Sequence, residues 1–389
     1  MLYRKNKKDG RELSILGFGC LRFPKKAGRI HQEEAEKVMK AAIDAGVNYF
    51  DTAYTYPGSE ACLGRFLAQG YRDQVAIATK LPHYLIKTSA DMDKYFEEQK
   101  KRLQTDRFEY YLMHMLNDAA TWERLKSLGV DRWLERKKAS GEIENVGFSF
   151  HGGAAQFLPL LDAYDWDFTQ IQYNYMDEHT QAGKKGLEYA YQKGIPVMIM
   201  EPLRGGKLTK QLPQAAKKEF AKIGTPAEWG LRWIWNHKEV TLVLSGMNEV
   251  CQVEENARIA SQAQAGHMTE EELAVIERVK GIINASVKVP CTGCGYCMPC
   301  PAGVDIPTCF QAYNLKYADG KFAALKNYFM CTALKTNPTK ASLCIGCGKC
   351  ESHCPQSIAV KSRIADVKSE LEGPVFKAAD KLAKKFVRF

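Results

Sequence analysis

Eight short apolar runs punctuate the chain from Leu16 to about Ser245: "LGFGC", "NYFDTA", "VAIATKL", "YYLMHM", "NVGFSF", "FTQIQYN", "PVMIMEP" and "VTLVLSG". Between them lie longer stretches whose apolar residues recur at helical spacing, among them "QEEAEKVMKAAIDAG", "SEACLGRFLAQG", "AAQFLPLLDAY" and "PAEWGLRWIWNH". Short apolar runs bounded by turn residues predict strands, and the amphipathic stretches predict helices. Eight such strand–helix units in roughly 250 residues predict an α/β fold, a (β/α)8 TIM barrel. A doubly wound sheet usually has fewer strands and a glycine fingerprint after the first. Here "GFGC" opens no G-x-G-x-x-G, which sets that reading behind the barrel.

Most of the runs end on a polar residue: Asp51, Lys80, His114, Ser149, Glu201 and Ser245. A single polar strand end is ordinarily a turn residue or helix cap. In a barrel, however, the C-terminal strand ends converge on one mouth, where active sites lie. A set containing Asp, Lys and His at that mouth points to chemistry. Beyond the eighth unit, "TEEELAVIERVKGI" reads as a helix opened by a capping box from Thr269 to Glu272, and "NASVKVP" as a linker. Two domains are expected, a barrel over residues 1–283 and a smaller one over 284–389.

Composition changes the picture at one point. The 389 residues are 45% hydrophobic and 26% charged, as in an ordinary globular protein. No run of apolar residues is long enough to cross a membrane, and the N-terminus "MLYRKNKKDGREL" lacks the apolar core of a signal peptide. A cytoplasmic protein is expected, where disulfides rarely persist. Thirteen cysteines therefore need another explanation.

Eight of them fall in two runs, "CTGCGYCMPCP" from Cys291 and "CIGCGKCESHCP" from Cys344. A lone C-x2-C signals zinc or redox chemistry, but C-x2-C-x2-C followed by Cys-Pro, occurring twice, is more specific. Three thiolates at this spacing wrap a [4Fe–4S] cubane, and the fourth comes from the Cys-Pro of the other run. The spacing predicts two clusters, one on Cys291, Cys294, Cys297 and Cys354, the other on Cys344, Cys347, Cys350 and Cys300. Cys300 arrives one residue earlier than Cys354 does in its own run, as chain routing to a neighbouring cluster allows. Two zinc sites of four cysteines each are the alternative, although zinc motifs generally pair two C-x2-C units across a longer gap. The stretch between the runs, "FQAYNLKYADGKFAALKNYFM", reads as helical, so a small, mainly helical ferredoxin-like domain is expected. Cys20, Cys62, Cys251, Cys309 and Cys331 stand outside both motifs and are expected to be buried for structural reasons.

The formal charge of +10 suggests acidic partners. Two oxidised clusters at roughly −2 each lower it to about +6. The bases are scattered, so no nucleic-acid partner is expected. The tail "FKAADKLAKKFVRF" is amphipathic and reads as a solvated terminal helix, with docking to an acidic partner or membrane surface as the alternative.

Asp51 and Tyr56 in "YFDTAYTYPGSE", Lys80 in "IATK" and His114 in "YYLMH" together resemble the aldo-keto reductase superfamily over roughly residues 10 to 265. "CMPCPAGVDIP" resembles its iron–sulfur branch, in which a two-cluster module follows the barrel. The resemblance implies nicotinamide-dependent reduction of a carbonyl, or oxidation of an alcohol. Charge suggests the roles. A tyrosine is a poor proton donor at neutral pH, Lys80 would lower its pKa, and Asp51 would hold Lys80 charged. His114 would donate a hydrogen bond to the carbonyl.

On the cofactor side the resemblance implies contacts from Ser149, Gln170, Met200, Leu203, Ser245, Gly246, Met247, Glu255 and Asn256. Ser149 is followed by Phe150 where the family commonly has Asn, and Met200 stands where an aromatic ring often stacks. Ser245 through Asn256 contain no base for a 2′-phosphate, so NADPH and NADH are both expected, and a flavin is not excluded. Because hydride moves two electrons and a cubane accepts one, a ferredoxin- or flavodoxin-like electron partner is also expected. Two other readings compete with this one: an electron-transfer protein with an idle barrel, and a Schiff-base role for Lys80.

Overall fold

The computed structural model describes the chain apart from residues 153, 180, 223, 292, 294, 334–337 and 387–389. Cys294, expected as a cluster ligand, therefore lies outside the described residues, as does the side chain of Cys331. The chain divides into two compact units, Met1–Gln211 with Ile223–Ile276, and Leu212–Lys222 with Glu277–Phe389.

In the first unit eight strands close a barrel. They are β1 (Leu16–Gly19), β2 (Tyr49–Asp51), β3 (Ala76–Leu81), β4 (Phe108–Met113), β5 (Ile143–Phe150), β6 (Phe168–Gln172), β7 (Val197–Met200) and β8 (Val240–Ser245). Each pairs in parallel with its sequence neighbour, and β8 closes onto β1. Nearly every strand residue is buried, because helices cover the outer face and side chains fill the inner one. An antiparallel hairpin, Tyr3–Lys5 with Glu12–Ser14, precedes β1 and contributes Leu13 to the interior.

The inner face follows the strand period of two. Tyr49, Ala76, Ala78, Tyr110, Leu112, Phe168, Met198, Leu242 and Leu244 form one cluster with Leu13. The Tyr110 ring lies 5.0 Å from Tyr49 and 5.1 Å from Phe168, edge-on to the latter. Room for the Phe168 ring is made by Gly147 on β5, where a Cβ would stand 2.5 Å from the Phe168 carbonyl oxygen. Two residues further along the same phase, the inner positions become Asp51, Lys80, His114, Gln170 and Met200. The alternation that builds the apolar layers therefore also delivers the polar residues to the mouth.

The second unit is helical among its described residues, with helices at Ile306–Asp319, Lys321–Tyr328, Val360–Leu371 and Pro374–Phe386. Asp305 caps the first of these through the Thr308 amide (3.3 Å). Phe310, Tyr313, Tyr328, Ile364, Val367, Leu371 and Phe376 form its core with Val289, Val304 and Ile306. Cys291, Cys297, Cys300, Cys344, Cys350 and Cys354 pack on that core, half-buried. Asn314 holds the strand of chain leading into Cys291, accepting from the Lys288 and Val289 amides at 3.0 and 2.9 Å and donating to the Val289 carbonyl at 2.7 Å. In the terminal helix Phe376 is buried against Tyr328 and Phe329, while Val375 and Leu382 are exposed. Among the described residues no helix is long and apolar enough to cross a membrane. Cys20, Cys62 and Cys309 are buried, but Cys251 is exposed, contrary to expectation. It begins a helix on the outside of the barrel, out of phase with the buried Val253 face.

Candidate active site

At the mouth Lys80 and Asp51 meet as a buried ion pair. Lys80 Nζ donates to Asp51 Oδ1 at 2.6 Å and to the Thr52 carbonyl at 2.7 Å, with side-chain exposures of 1% and 5% for Lys80 and Asp51. Burial pushes the Asp51 carboxyl up from its ordinary value, and the Lys80 ammonium pulls it back. Lys80 Nζ also stands 5.3 Å from the centre of the Tyr56 ring. Tyr56 is placed by a tight turn, its amide donating to the Ala53 carbonyl (3.0 Å) and its carbonyl accepting from the Ser59 amide (3.0 Å). The His114 ring lies edge-on to it at 6.0 Å, and Thr55 Oγ1 is 3.4 Å from His114 Nδ1. The four residues expected to act together are thus neighbours.

The electrostatics differ from expectation at Tyr56. Burial pushes its hydroxyl well above the ordinary phenol range, and the Asp51 charge adds to the rise. Tyr56 is consequently held in its protonated form. Burial also lowers His114, helped by the Lys80 charge, to about 3. At neutral pH it is an uncharged imidazole, a hydrogen-bond donor rather than a source of charge.

Behind the mouth lies a buried network that sequence reading missed. Glu60 accepts from Thr79 Oγ1 (2.7 Å), Gln99 Nε2 (2.9 Å) and Arg102 Nη1 (3.1 Å). Gln99 also donates to the Lys80 carbonyl (3.1 Å) and accepts from Tyr111 (2.7 Å). The network fixes the backbone on either side of Lys80. The available signal was Glu60 itself, a carboxylate on an otherwise apolar helical face in "SEACLGRFL".

The residues expected around a nucleotide divide into two kinds. Several are engaged within the protein: Ser149 Oγ accepts from the Met115 amide (2.8 Å), Ser245 Oγ from Asn256 Nδ2 (3.1 Å), and Glu255 from Thr225 Oγ1 (2.7 Å). Met247 is buried and Leu203 packs over Gly230. Gln170 differs. It is 2% exposed, its Nε2 rests on the Met200 sulfur at 3.7 Å, and its buried Oε1 has no hydrogen-bond partner among the described residues. An orphaned acceptor of this kind is costly unless a ligand completes it. It fits the amide N–H of a nicotinamide carboxamide.

In the second unit the cysteines line two cavities. One, of about 280 Å³, is walled by Cys300, Cys344, Cys347 and Cys350, with Cys297 also at its edge. The other, of about 20 Å³, is walled by Cys291, Cys297 and Cys354. Cys300 thus faces the cavity of the later run and Cys354 that of the earlier one. Among the described residues no three Cys, His, Asp or Glu side chains converge on a point as a single metal ion needs. Five cysteines are among the residues that line the larger cavity. Its donor set and volume suit an iron–sulfur cluster, and the smaller cavity has matching donors.

Comparison with known proteins agrees with this division. Residues 15–279 match the model of the aldo/keto reductase family, and residues 290–359 match that of the 4Fe-4S dicluster domain. The chain is 26% identical to an L-galactose dehydrogenase of Arabidopsis thaliana, over 69% of this chain and 91% of that protein. An aldo-keto reductase of Bacillus halodurans shares the fold with a TM-score of 0.60 at 22% identity, covering 72% of this chain and 96% of the other. One from Klebsiella pneumoniae, solved in complex with NADPH, gives 0.58 at 24% identity with the same coverage. The chain belongs to the aldo/keto reductase family, an oxidoreductase of that type, and carries a C-terminal 4Fe-4S dicluster domain.

Proposed function

We propose that this protein reduces a carbonyl, or oxidises the corresponding alcohol, with a nicotinamide cofactor in a barrel domain over residues 1–283, and that residues 284–389 hold two [4Fe–4S] clusters. The observation that carries the reading is the buried Asp51–Lys80 pair beside a protonated Tyr56 and a neutral His114. When bound, a nicotinamide supplies or accepts two electrons as hydride, and each cluster carries one electron at a time.

The protein's own residues handle the proton and the developing charge. As negative charge gathers on the carbonyl oxygen, its proton affinity rises until the Tyr56 hydroxyl can donate to it. Lys80 then stabilises the phenolate left behind, which compensates for the high pKa of the resting hydroxyl. Asp51 keeps Lys80 oriented. In the tautomer with its proton on Nε2, His114 would accept from Thr55 Oγ1 at Nδ1 and offer that proton as a hydrogen bond to the carbonyl oxygen. Gln170 Oε1 would take the carboxamide N–H and fix the nicotinamide face. Cys291, Cys294, Cys297 and Cys354 would hold one cluster, and Cys344, Cys347, Cys350 and Cys300 the other. The volume of the larger cavity and its cysteine lining suit a cluster.

NADPH is the first cofactor to test, since a structural neighbour was solved in complex with it. Sugar carbonyls are the first substrate class, since a relative is named an L-galactose dehydrogenase. An acidic one-electron carrier of ferredoxin or flavodoxin type would serve the clusters. A Schiff-base role for Lys80 is disfavoured, because its amine is buried and bonded twice within the protein. The test is Tyr56→Phe, expected to cut carbonyl reduction by about 10²–10⁴-fold. Full activity in that variant would leave the idle-barrel reading standing. Separately, broad absorbance near ~400 nm under anaerobic conditions reports cluster occupancy, and bleaching by NADPH reports electron exchange between nucleotide and clusters.

A further inference from the structure

The positive charge of the chain is concentrated at its C-terminal end. Residues 284–389 hold fifteen of the 55 Lys and Arg but only seven of the 45 Asp and Glu, so the preceding residues are nearly neutral. Two oxidised clusters at roughly −2 each would still leave the segment basic. The two cysteine cavities share that charge unequally. Lys349, His353 and Lys361 stand in the wall of the larger cavity, with Cys300, Cys344, Cys347 and Cys350, and among the described residues no Asp or Glu does. The wall of the smaller cavity has no charged side chain among the described residues.

The rim of the larger cavity is apolar as well as basic. Ile345, between Cys344 and Cys347, is 72% exposed, and Met298 on the opposite run is 37% exposed. Cys347 is itself exposed. Lys349 opens the short helix Lys349–Ser352, and Lys361 lies in the first turn of Val360–Leu371. Among the described residues neither lysine is ion-paired. Glu351, between them in sequence, accepts instead from the Lys361 amide at 2.9 Å. A large exposed apolar side chain beside unpaired bases has the make-up of a docking face, with apolar contact at its centre and charge at its edge.

We infer that this rim, Ile345 with Lys349 and Lys361, is the docking face for a small acidic protein that carries one electron, and that the cluster of the later run is the one that exchanges with it. The inference rests on the cluster reading above. An electron crosses between proteins only over a short gap, and the exposed Cys347 brings that cluster to the surface. In the exchange the reduced carrier loses one electron and the cluster gains it, with no bond made or broken. Lys349 and Lys361 steer an acidic surface to the rim, and Ile345 supplies desolvated contact once it arrives. Electron-transfer encounters bury little area, so two charges and one apolar side chain weigh heavily in them. A membrane surface also attracts bases, but it takes a long apolar helix face rather than the rim of a redox site.

The test is binding of an acidic plant-type ferredoxin to the cluster-loaded, full-length protein, at low and at moderate salt. Lys349→Glu combined with Lys361→Glu is expected to weaken binding by about tenfold or more and to flatten its salt dependence. Lys349→Arg combined with Lys361→Arg should bind as wild type does. Ile345→Gln should weaken binding by about fivefold or more with the salt dependence kept. The rate at which reduced ferredoxin bleaches the ~400 nm absorbance should fall in parallel. Unchanged melting temperature, and bleaching by dithionite equal to that of wild type, show that the variants are folded and loaded. Binding within twofold of wild type in the double Glu variant overturns the docking face while the cluster reading stands. Capture by anionic phospholipid vesicles, lost in that variant, with no binding of ferredoxin, would assign the lysines to a membrane and overturn it too. A loaded wild type that binds neither also overturns it. Wild type that carries no iron overturns the cluster reading, and this face with it.

Discussion

The barrel mouth and the cysteine module hold their functional atoms by opposite means. At the mouth, Lys80 and Asp51 satisfy each other, the Lys80 backbone is fixed by Gln99, and Glu60 is saturated with donors. In the module, cysteine thiols line two cavities over a helical core. The first arrangement is held by bonds within the polypeptide, whereas the second would be completed by the proposed clusters. A site that completes itself should survive cofactor removal, and a site that does not should lose folding free energy with its metal.

The largest effects should come from breaking the module. Removing iron under anaerobic chelation is expected to abolish a separate unfolding transition for residues 277–389 while leaving the barrel transition in place, read by calorimetry. Single ligand changes sharpen the point. Cys300→Ala should lose the cluster of the later run, and Cys354→Ala that of the earlier run, each leaving about half the iron by assay and a distinct residual paramagnetic signal on reduction. If Cys300→Ala instead removed the cluster of its own run, the crossed arrangement would be wrong.

Breaking the mouth should cost the barrel alone. Asp51→Asn leaves the Lys80 ammonium buried without its counter-charge, and a loss of about 3–5 kcal/mol in barrel stability is expected by denaturant unfolding. The ~400 nm absorbance of the clusters should be unchanged. An equal loss from both units would show that they do not unfold independently.

The smallest effect is a pH dependence. His114 is lowered to about 3 in the folded protein, from an ordinary value near 6.5, because burial disfavours its charged form. Between those values the unfolded chain binds a proton that the native protein refuses. Its contribution is therefore complete above about pH 6.5 and falls as pH drops toward 3, by up to about 1.4 kcal/mol per pH unit. Urea unfolding of the barrel at pH 7 and pH 5 measures the slope, and His114→Phe should flatten it. An unchanged slope in that variant would place the titration elsewhere.

Much of this was legible in the chain because it depends on period and spacing. Strands of period two, repeated eight times with helices between, admit few closures other than a barrel. The same phase that sends Ala76, Ala78, Tyr110 and Leu112 inward sends Lys80 and His114 to the mouth. The cysteine runs were readable for a similar reason, since one cubane fixes the spacing of the thiols that hold it. What spacing could not supply were contacts between residues distant in sequence. Glu60 reads as one more charge in a helix until Thr79, Gln99 and Arg102 are folded around it. The direction of the Tyr56 shift was inferred from the charge of Lys80 alone, and burial together with the Asp51 partner reversed it. Local sequence determined which residues reach the barrel mouth and which cysteines recur at cluster spacing, because both follow from position along the chain. Only the tertiary structure decided how charged each group is and which remain unspent, because desolvation and pairing depend on neighbours that the chain brings together by closing.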